Sequence, residues 1–261
     1  MPDQPAAKKS LGQHWLHDQA SLEAMCEAAD VNTEDTILEI GPGLGTLTKL
    51  LTQRAKKVVA VEYDKLLAKD LPKRVPAANL SVVTEDILNF DFTSLPKKYK
   101  VVANIPYYLT SNLLRNLSET KNPPTVVALL IQKEVAERAT ARPGAMSLLS
   151  VTVQFYWQTE LGLVILAELF TPPPKVDSQI LILHKLAKPL FPDVDTKDFF
   201  RVIKAGFAQR RKTLLNTLSG GLNLERSVVT HACESVDIDP KRRAQTLSLE
   251  EWHSLYISLN T

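Results

Sequence analysis

Between Lys100 and Leu109 the chain reads KVVANIPYYL, in which an amide, a proline and two tyrosines follow directly on a run of apolar and β-branched residues. Such a run reads as a buried strand, which puts Asn104 at its carboxyl end. An adenine-type N6 amine is a poor nucleophile because its lone pair is delocalised into the ring. Two acceptors aimed at its protons, the Asn104 side-chain carbonyl and the Ile105 backbone carbonyl, would favour a pyramidal nitrogen whose lone pair points at an electrophile. Pro106 fixes the turn that presents them. Tyr107 offers a π-face on which a base can stack, and the same face favours positive charge nearby. The chemistry that fits is group transfer to an amino nitrogen without a strong base, since the substituted amine is acidic enough to lose its proton to water. Taken alone, these residues fit an Asn-initiated turn with core tyrosines equally well.

A second set of residues points to the donor of the group. In LEIGPGLGTLT, Gly41, Gly43 and Gly45 open a strand-to-helix turn in which a ligand can approach backbone N–H groups at a helix start. The dinucleotide pattern G-x-G-x-x-G fails, because Thr46 stands where its third glycine belongs. Glu62 closes the run KVVAVE, where a carboxylate can accept hydrogen bonds from both ribose hydroxyls of a nucleoside. Asp86 closes LSVVTED, from where it can accept a hydrogen bond from an adenine amino group while Ile87 packs on the ring. These acids beside a glycine loop outline an adenosine pocket, and a ligand without pyrophosphate suits the imperfect fingerprint. S-adenosyl-L-methionine is the expected cofactor, and no metal is called for.

Two further regions bear on the substrate. In LFTPPPKVDS, three prolines stiffen the loop after Phe170. Placed opposite Tyr107, Phe170 would sandwich a flipped-out adenine, a stack worth about 1 to 3 kcal/mol per base; its alternative place is the core of a proline-rich hairpin. Asp177 and Ser178 read as loop hydrogen-bonding groups. Basic residues cluster at Arg201, Lys204, Arg210, Arg211 and Lys212, at Lys241, Arg242 and Arg243, and at Lys8 and Lys9. Beside an adenine pocket they form an expected phosphate-contacting surface.

The elements that would position these groups are short β-rich runs alternating with helix-patterned segments. Strands are expected at 36–40, 57–62, 80–86, 100–105, 125–131, 160–167 and 178–183, the last two as an antiparallel hairpin, with a helix near 145–156. This gives an α/β, Rossmann-like domain with a mostly parallel seven-stranded sheet over 1–187. A linker near 186–195 (KLAKPLFPDVD) leads to a smaller all-helical domain, 188–261. Its last helix has a capping box at Ser248 and Glu251 and a face of Leu249, Trp252, Leu255 and Leu259. The length of 261 residues and 44% apolar content suffice for such a core. The net charge of +2 is too mild to mark a nucleic-acid binder, so that surface must be local. Two distant cysteines, Cys26 and Cys233, fit neither a disulfide framework nor a thiolate metal site. With no signal peptide or membrane-length apolar run, the expectation is a cytoplasmic protein that is a monomer and has no membrane partner.

Several separated motifs agree in order with one family. From KKSLGQHWL through EIGPGLGTLT, VEYD, EDIL, NIPYYL, IQKEVAERATARPG and LFTPPPKVDS to the arginine-rich helices, the chain resembles the ribosomal RNA adenine N6,N6-dimethyltransferases, most of all the bacterial enzymes acting on 16S ribosomal RNA. The resemblance implies transfer of methyl groups from S-adenosylmethionine to N6 of two adjacent adenosines near the 3′ end of 16S ribosomal RNA, during small-subunit biogenesis. It places the family's cofactor contacts on His14, Leu16, Gly41, Glu62, Asp86 and Asn104. His14 and Trp15 stand where similar enzymes have asparagine and phenylalanine, and an imidazole lacks the amide's paired donor and acceptor. RPGAMSLLSV also lacks the tyrosine and glycine often found before L-S-V. The alternatives are a large-subunit (23S) adenine methyltransferase conferring macrolide resistance, a non-catalytic ribosome-assembly factor and, more distantly, an NAD-dependent oxidoreductase.

Overall fold

The structure, a computed structural model, describes residues 11–188 and 190–260. Lys8 and Lys9 lie outside them. The chain folds as two compact units: one runs up to Glu137 and includes Trp157–Lys185, and the other joins Arg138–Tyr156 to the chain from Leu186 onward.

The first unit opens with a short strand β1 (Trp15–Leu16) and helix α1 (Gln19–Ala28), which starts where the Asp18 carboxylate accepts the Ser21 N–H. Strands and helices then alternate as β2 (Thr36–Ile40), α2 (Thr46–Arg54), β3 (Lys57–Glu62), α3 (Lys65–Arg74), β4 (Leu80–Thr84), β5 (Lys100–Asn104), α4 (Thr110–Glu119), β6 (Val126–Gln132) and α5 (Lys133–Ala139). After α6 (Leu148–Tyr156) come β7 (Trp157–Ile165), β8 (Phe170–Thr171) and β9 (Ser178–Lys185). Seven strands form one sheet in the order β4-β3-β2-β5-β6-β9-β7. The first five are parallel, and β9 runs antiparallel to both β6 and β7. Ile37, Leu38, Val58, Ala60, Val101 and Val102 are all fully buried, which is why these runs show continuous apolar character instead of alternation. From β2 the chain runs outward through β3 to β4 and then crosses back to β5 on the other side of β2, a switch of direction at which such sheets open a crevice at the strands' carboxyl ends. A separate two-stranded sheet pairs β1 with β8, Leu16 opposite Phe170.

The second unit carries α7 (Thr196–Phe207), α8 (Leu214–Leu222), α9 (Arg226–Glu234) and α10 (Leu249–Leu259). Its core gathers Phe199, Val202, Leu214, Leu218, Trp252 and Leu255. The segment Arg138–Tyr156, which the sequence assigns to the first domain, belongs here because Val151 and Phe155 of α6 are buried in this core. At the start of α10, Ser248 Oγ accepts the Glu251 N–H at 3.1 Å and Glu251 Oε2 accepts the Ser248 N–H at 2.8 Å, a reciprocal capping box. No helix among the described residues is long and apolar enough to cross a membrane.

Candidate active site

A cavity of about 400 Å³ lies in the first unit, within the size range that holds small molecules. Its floor is the turn from β2 into α2, and its walls come from the ends of β3, β4 and β5 and from residues 11–16. Gly43 is left-handed at φ +56°, and a Cβ there would meet the Trp15 ring at 2.5 Å. Only glycine lets the Trp15 indole close on this loop.

Glu62, at the end of β3, is 6% exposed. Its Oε2 accepts the Gly43 N–H at 3.1 Å and its Oε1 accepts the Asp64 N–H at 2.8 Å, which ties β3 to the glycine loop. Burial pushes this carboxyl above its ordinary range, against the opposing pull of those two backbone donors. Strand β4 ends at Thr84, so Asp86 stands two residues beyond it, in the turn. Its Oδ1 accepts the Leu88 N–H at 3.0 Å, and Ile87 beside it is buried.

Asn104 ends β5, and its Nδ2 donates to the His14 backbone oxygen at 3.3 Å. A carbonyl only accepts, so the amide nitrogen faces His14 and Oδ1 is left as an acceptor without a partner among the described residues. Ile105 is buried and Tyr107 half-buried, with the Tyr107 hydroxyl 2.8 Å from Ser178 Oγ. Burial raises the Tyr107 phenol above its ordinary range. His14, Leu16, Gly41, Gly43, Glu62, Asp86, Ile87, Asn104, Ile105, Pro106 and Tyr107 thus all line one cavity. For an adenosine-bearing ligand the fit is good: carboxylates stand beside a glycine cradle, and Oε2 of Glu39, buried in the same wall, has no hydrogen-bond partner among the described residues.

Phe170 is a different case. It is 3% exposed, pairs with Leu16 across β1 and β8, and packs in the core with Leu16, Leu22 and Ile180 instead of lining the cavity. A ring without accessible faces cannot sandwich a base opposite Tyr107, and the core alternative is the one the packing realises. Reading by residue type also passed over three lining residues. Glu39 is 1% exposed, and burial lifts its carboxyl to about 8, with the Glu62 charge adding to the rise. Its only signal was its place directly before I-G-P-G. Tyr63 and Tyr108 are 62% and 60% exposed on the cavity wall. Their signal was adjacency to Glu62 and Tyr107.

In the second unit Arg201, Lys204, Arg210, Arg211, Lys212, Lys241 and Arg243 are exposed. Arg242 is not a free cation. Its guanidinium grips both Glu251 carboxylate oxygens and donates to the Thr246 carbonyl at 2.7 Å, which buttresses the capping box.

Residues 5–261 match the model of the family described as ribosomal RNA adenine dimethylase. The chain belongs to that family. It is 42% identical over 253 residues to a ribosomal RNA small subunit methyltransferase A of Dehalococcoides mccartyi (strain CBDB1), covering 95% of this chain and 87% of that protein. It is 40% identical over 261 residues to a protein of the same name from Bacillus mycoides (strain KBAB4), covering 95% and 89%. Among solved structures it superposes on a dimethyladenosine transferase from Plasmodium falciparum with a TM-score of 0.82 at 25% identity, covering 95% of this chain and 98% of that one. It matches the 23S rRNA methyltransferase ErmE with a TM-score of 0.75 at 26% identity, covering 95% and 100%. Membership makes the chain an S-adenosylmethionine-dependent enzyme acting on ribosomal RNA adenine.

Proposed function

We propose that this chain transfers methyl groups to N6 of two adjacent adenosines near the 3′ end of 16S ribosomal RNA in the small subunit, giving N6,N6-dimethyladenosine. The observation that carries the reading is the direction of the Asn104 amide, whose nitrogen is spent on the His14 carbonyl and whose oxygen is left as an acceptor without a partner among the described residues.

S-adenosylmethionine, when bound, supplies an electrophilic methyl group on a sulfonium. Glu62 would hold the ribose hydroxyls with the lone pairs that Gly43 and Asp64 leave over, Asp86 and Ile87 the adenine, and Gly41, Gly43 and Leu16 the remainder through the backbone. On the substrate side, Asn104 Oδ1 and the Ile105 carbonyl would accept from the target amino group and direct its lone pair. Pro106 holds the turn, and Tyr107 offers a face to the flipped base. The proton leaves to water. Arg201, Lys204, Arg210, Arg211, Lys212, Lys241 and Arg243 would bind phosphates, with Lys8 and Lys9 assigned on charge alone. We read the protein as a cytoplasmic monomer that needs no metal.

The small-subunit substrate is preferred over the large one because relatives at 40 to 42% identity carry the small-subunit name, while the 23S enzyme stands at 26%. Incubation with radiolabelled S-adenosylmethionine and separated, unmodified small and large subunits tests this. Label in small-subunit RNA is expected; label confined to the large subunit would reverse the assignment.

A further inference from the structure

We propose that Ser178 is a positioning residue for the reaction, its hydroxyl holding the Tyr107 ring where a flipped adenine can stack on it; this rests on the methyl-transfer reading above. The Tyr107 hydroxyl lies 2.8 Å from Ser178 Oγ. Ser178 is fully buried at the start of β9, while Tyr107 is half-buried and lines the cavity. One end of the bond belongs to the core and the other to the site. Tyr107 is also tied by its backbone: the buried Thr110 hydroxyl donates to the Tyr107 carbonyl at 2.9 Å, and the Leu109 N–H donates to the Pro106 carbonyl at 3.0 Å. These bonds fix the chain that carries the ring but not the rotation of the side chain. The hydroxyl contact fixes that. Burial raises the Tyr107 phenol above its ordinary range, so near neutral pH it keeps its proton and remains an uncharged hydrogen-bonding group.

Ser178 is placed firmly enough to serve as the anchor. It stands opposite Gln132 of β6 and Ile165 of β7, so the first residue of β9 is set between two antiparallel strands. Asp177, just before it, clips the same corner: its Oδ1 accepts the Ala167 N–H at 2.9 Å, and its backbone carbonyl accepts the Lys133 N–H at 3.0 Å. A serine hydroxyl turns about a single side-chain torsion with a few staggered positions, so a fixed backbone fixes its reach. Sheet geometry is thereby passed to the base platform through one pair of hydroxyls. Ser178 is not among the described residues that line the cavity, so its influence on the reaction runs through Tyr107.

The test compares wild type, Ser178→Ala, Tyr107→Phe and the double variant in single-turnover and steady-state methyl transfer to unmodified small subunits, with S-adenosylhomocysteine binding by calorimetry as the check on folding and on the cofactor site. Tyr107→Phe keeps the stacking face but loses the hydroxyl, and Ser178→Ala removes that hydroxyl's partner. Each is expected to lower kcat about tenfold, with KM and the Kd for S-adenosylhomocysteine moving less than about twofold. The double variant should be no slower than either single one, because all three lack the same bond; independent roles would give a loss of about a hundredfold. Should Ser178→Ala fold poorly, the double variant, which leaves no phenol hydroxyl without its partner, is compared with Tyr107→Phe, and equal rates are expected. Unchanged kcat in either single variant, additive losses in the double one, or a defect lying wholly in KM or in S-adenosylhomocysteine affinity overturns the proposal. A wild type that transfers no methyl overturns the underlying reading, whereas an active wild type with equally active variants overturns only the role given to Ser178.

Discussion

Asn104 and Glu39 stand at the ends of adjacent strands, yet burial and partners give their side chains opposite tasks. The Asn104 amide needs one orientation, and a single backbone carbonyl enforces it. Asn104→Ala is expected to reduce single-turnover methyl transfer by about two to three orders of magnitude, as loss of a preorganised acceptor does, while RNA affinity stays nearly unchanged. Retained transfer would refute the lone-pair mechanism. Glu39 is raised from an ordinary 4.5 to about 8, first by burial and then by the Glu62 charge. The folded protein therefore holds a proton that the unfolded chain releases. That contribution to stability is complete below 4.5 and is lost as pH rises through about 8. Thermal melts between about pH 6 and about pH 9 should show Tm falling in wild type and falling less in Glu39→Gln, whose amide has no proton to lose. Parallel slopes would place the titration elsewhere.

At the scale of elements, the glycine loop and the N-terminal segment are fitted to each other. Gly43→Ala would impose roughly 1 to 2 kcal/mol of left-handed backbone strain, and its Cβ would collide with Trp15. Weaker S-adenosylhomocysteine binding is expected, partly restored in Gly43→Ala/Trp15→Phe, where the smaller ring leaves room; absence of any rescue would mean that backbone strain alone sets the loss. In the second unit, Arg242→Ala should destabilise by about 1 kcal/mol in denaturant melts, because it loosens the Glu251 carboxylate that caps α10.

The parallel strands and their terminal acids were legible in the sequence because buried strands leave long apolar runs, and a glycine turn marks where they stop. The capping box was legible because it is local. Phe170 was not, since β1 and β8 are two residues each and carry no periodic signal that would announce their pairing. Nor was the membership of α6: Val151 and Phe155 say that one face is buried but not against which core. Arg242 read as one of a basic trio because its partner lies nine residues away, across a turn.

For the whole molecule, two units divide the labour in the proposed reaction. The sheet unit holds the cavity, and the helical unit presents Arg210 and Arg211 in the turn between α7 and α8. Charge reversal of both should weaken RNA binding and flatten its salt dependence by about one slope unit for each phosphate no longer neutralised, without altering S-adenosylhomocysteine affinity. An unchanged salt slope would remove this turn from the RNA surface. The central claim is the reaction itself. It is tested most directly by incubating the protein with S-adenosylmethionine and unmodified small subunits, then digesting the RNA and identifying its nucleosides by mass spectrometry. N6,N6-dimethyladenosine at two adjacent positions near the 3′ end of 16S ribosomal RNA, absent with Asn104→Ala, is the predicted result. Subunits that bind the protein yet gain no methyl group would contradict it and leave an assembly factor in the enzyme's place.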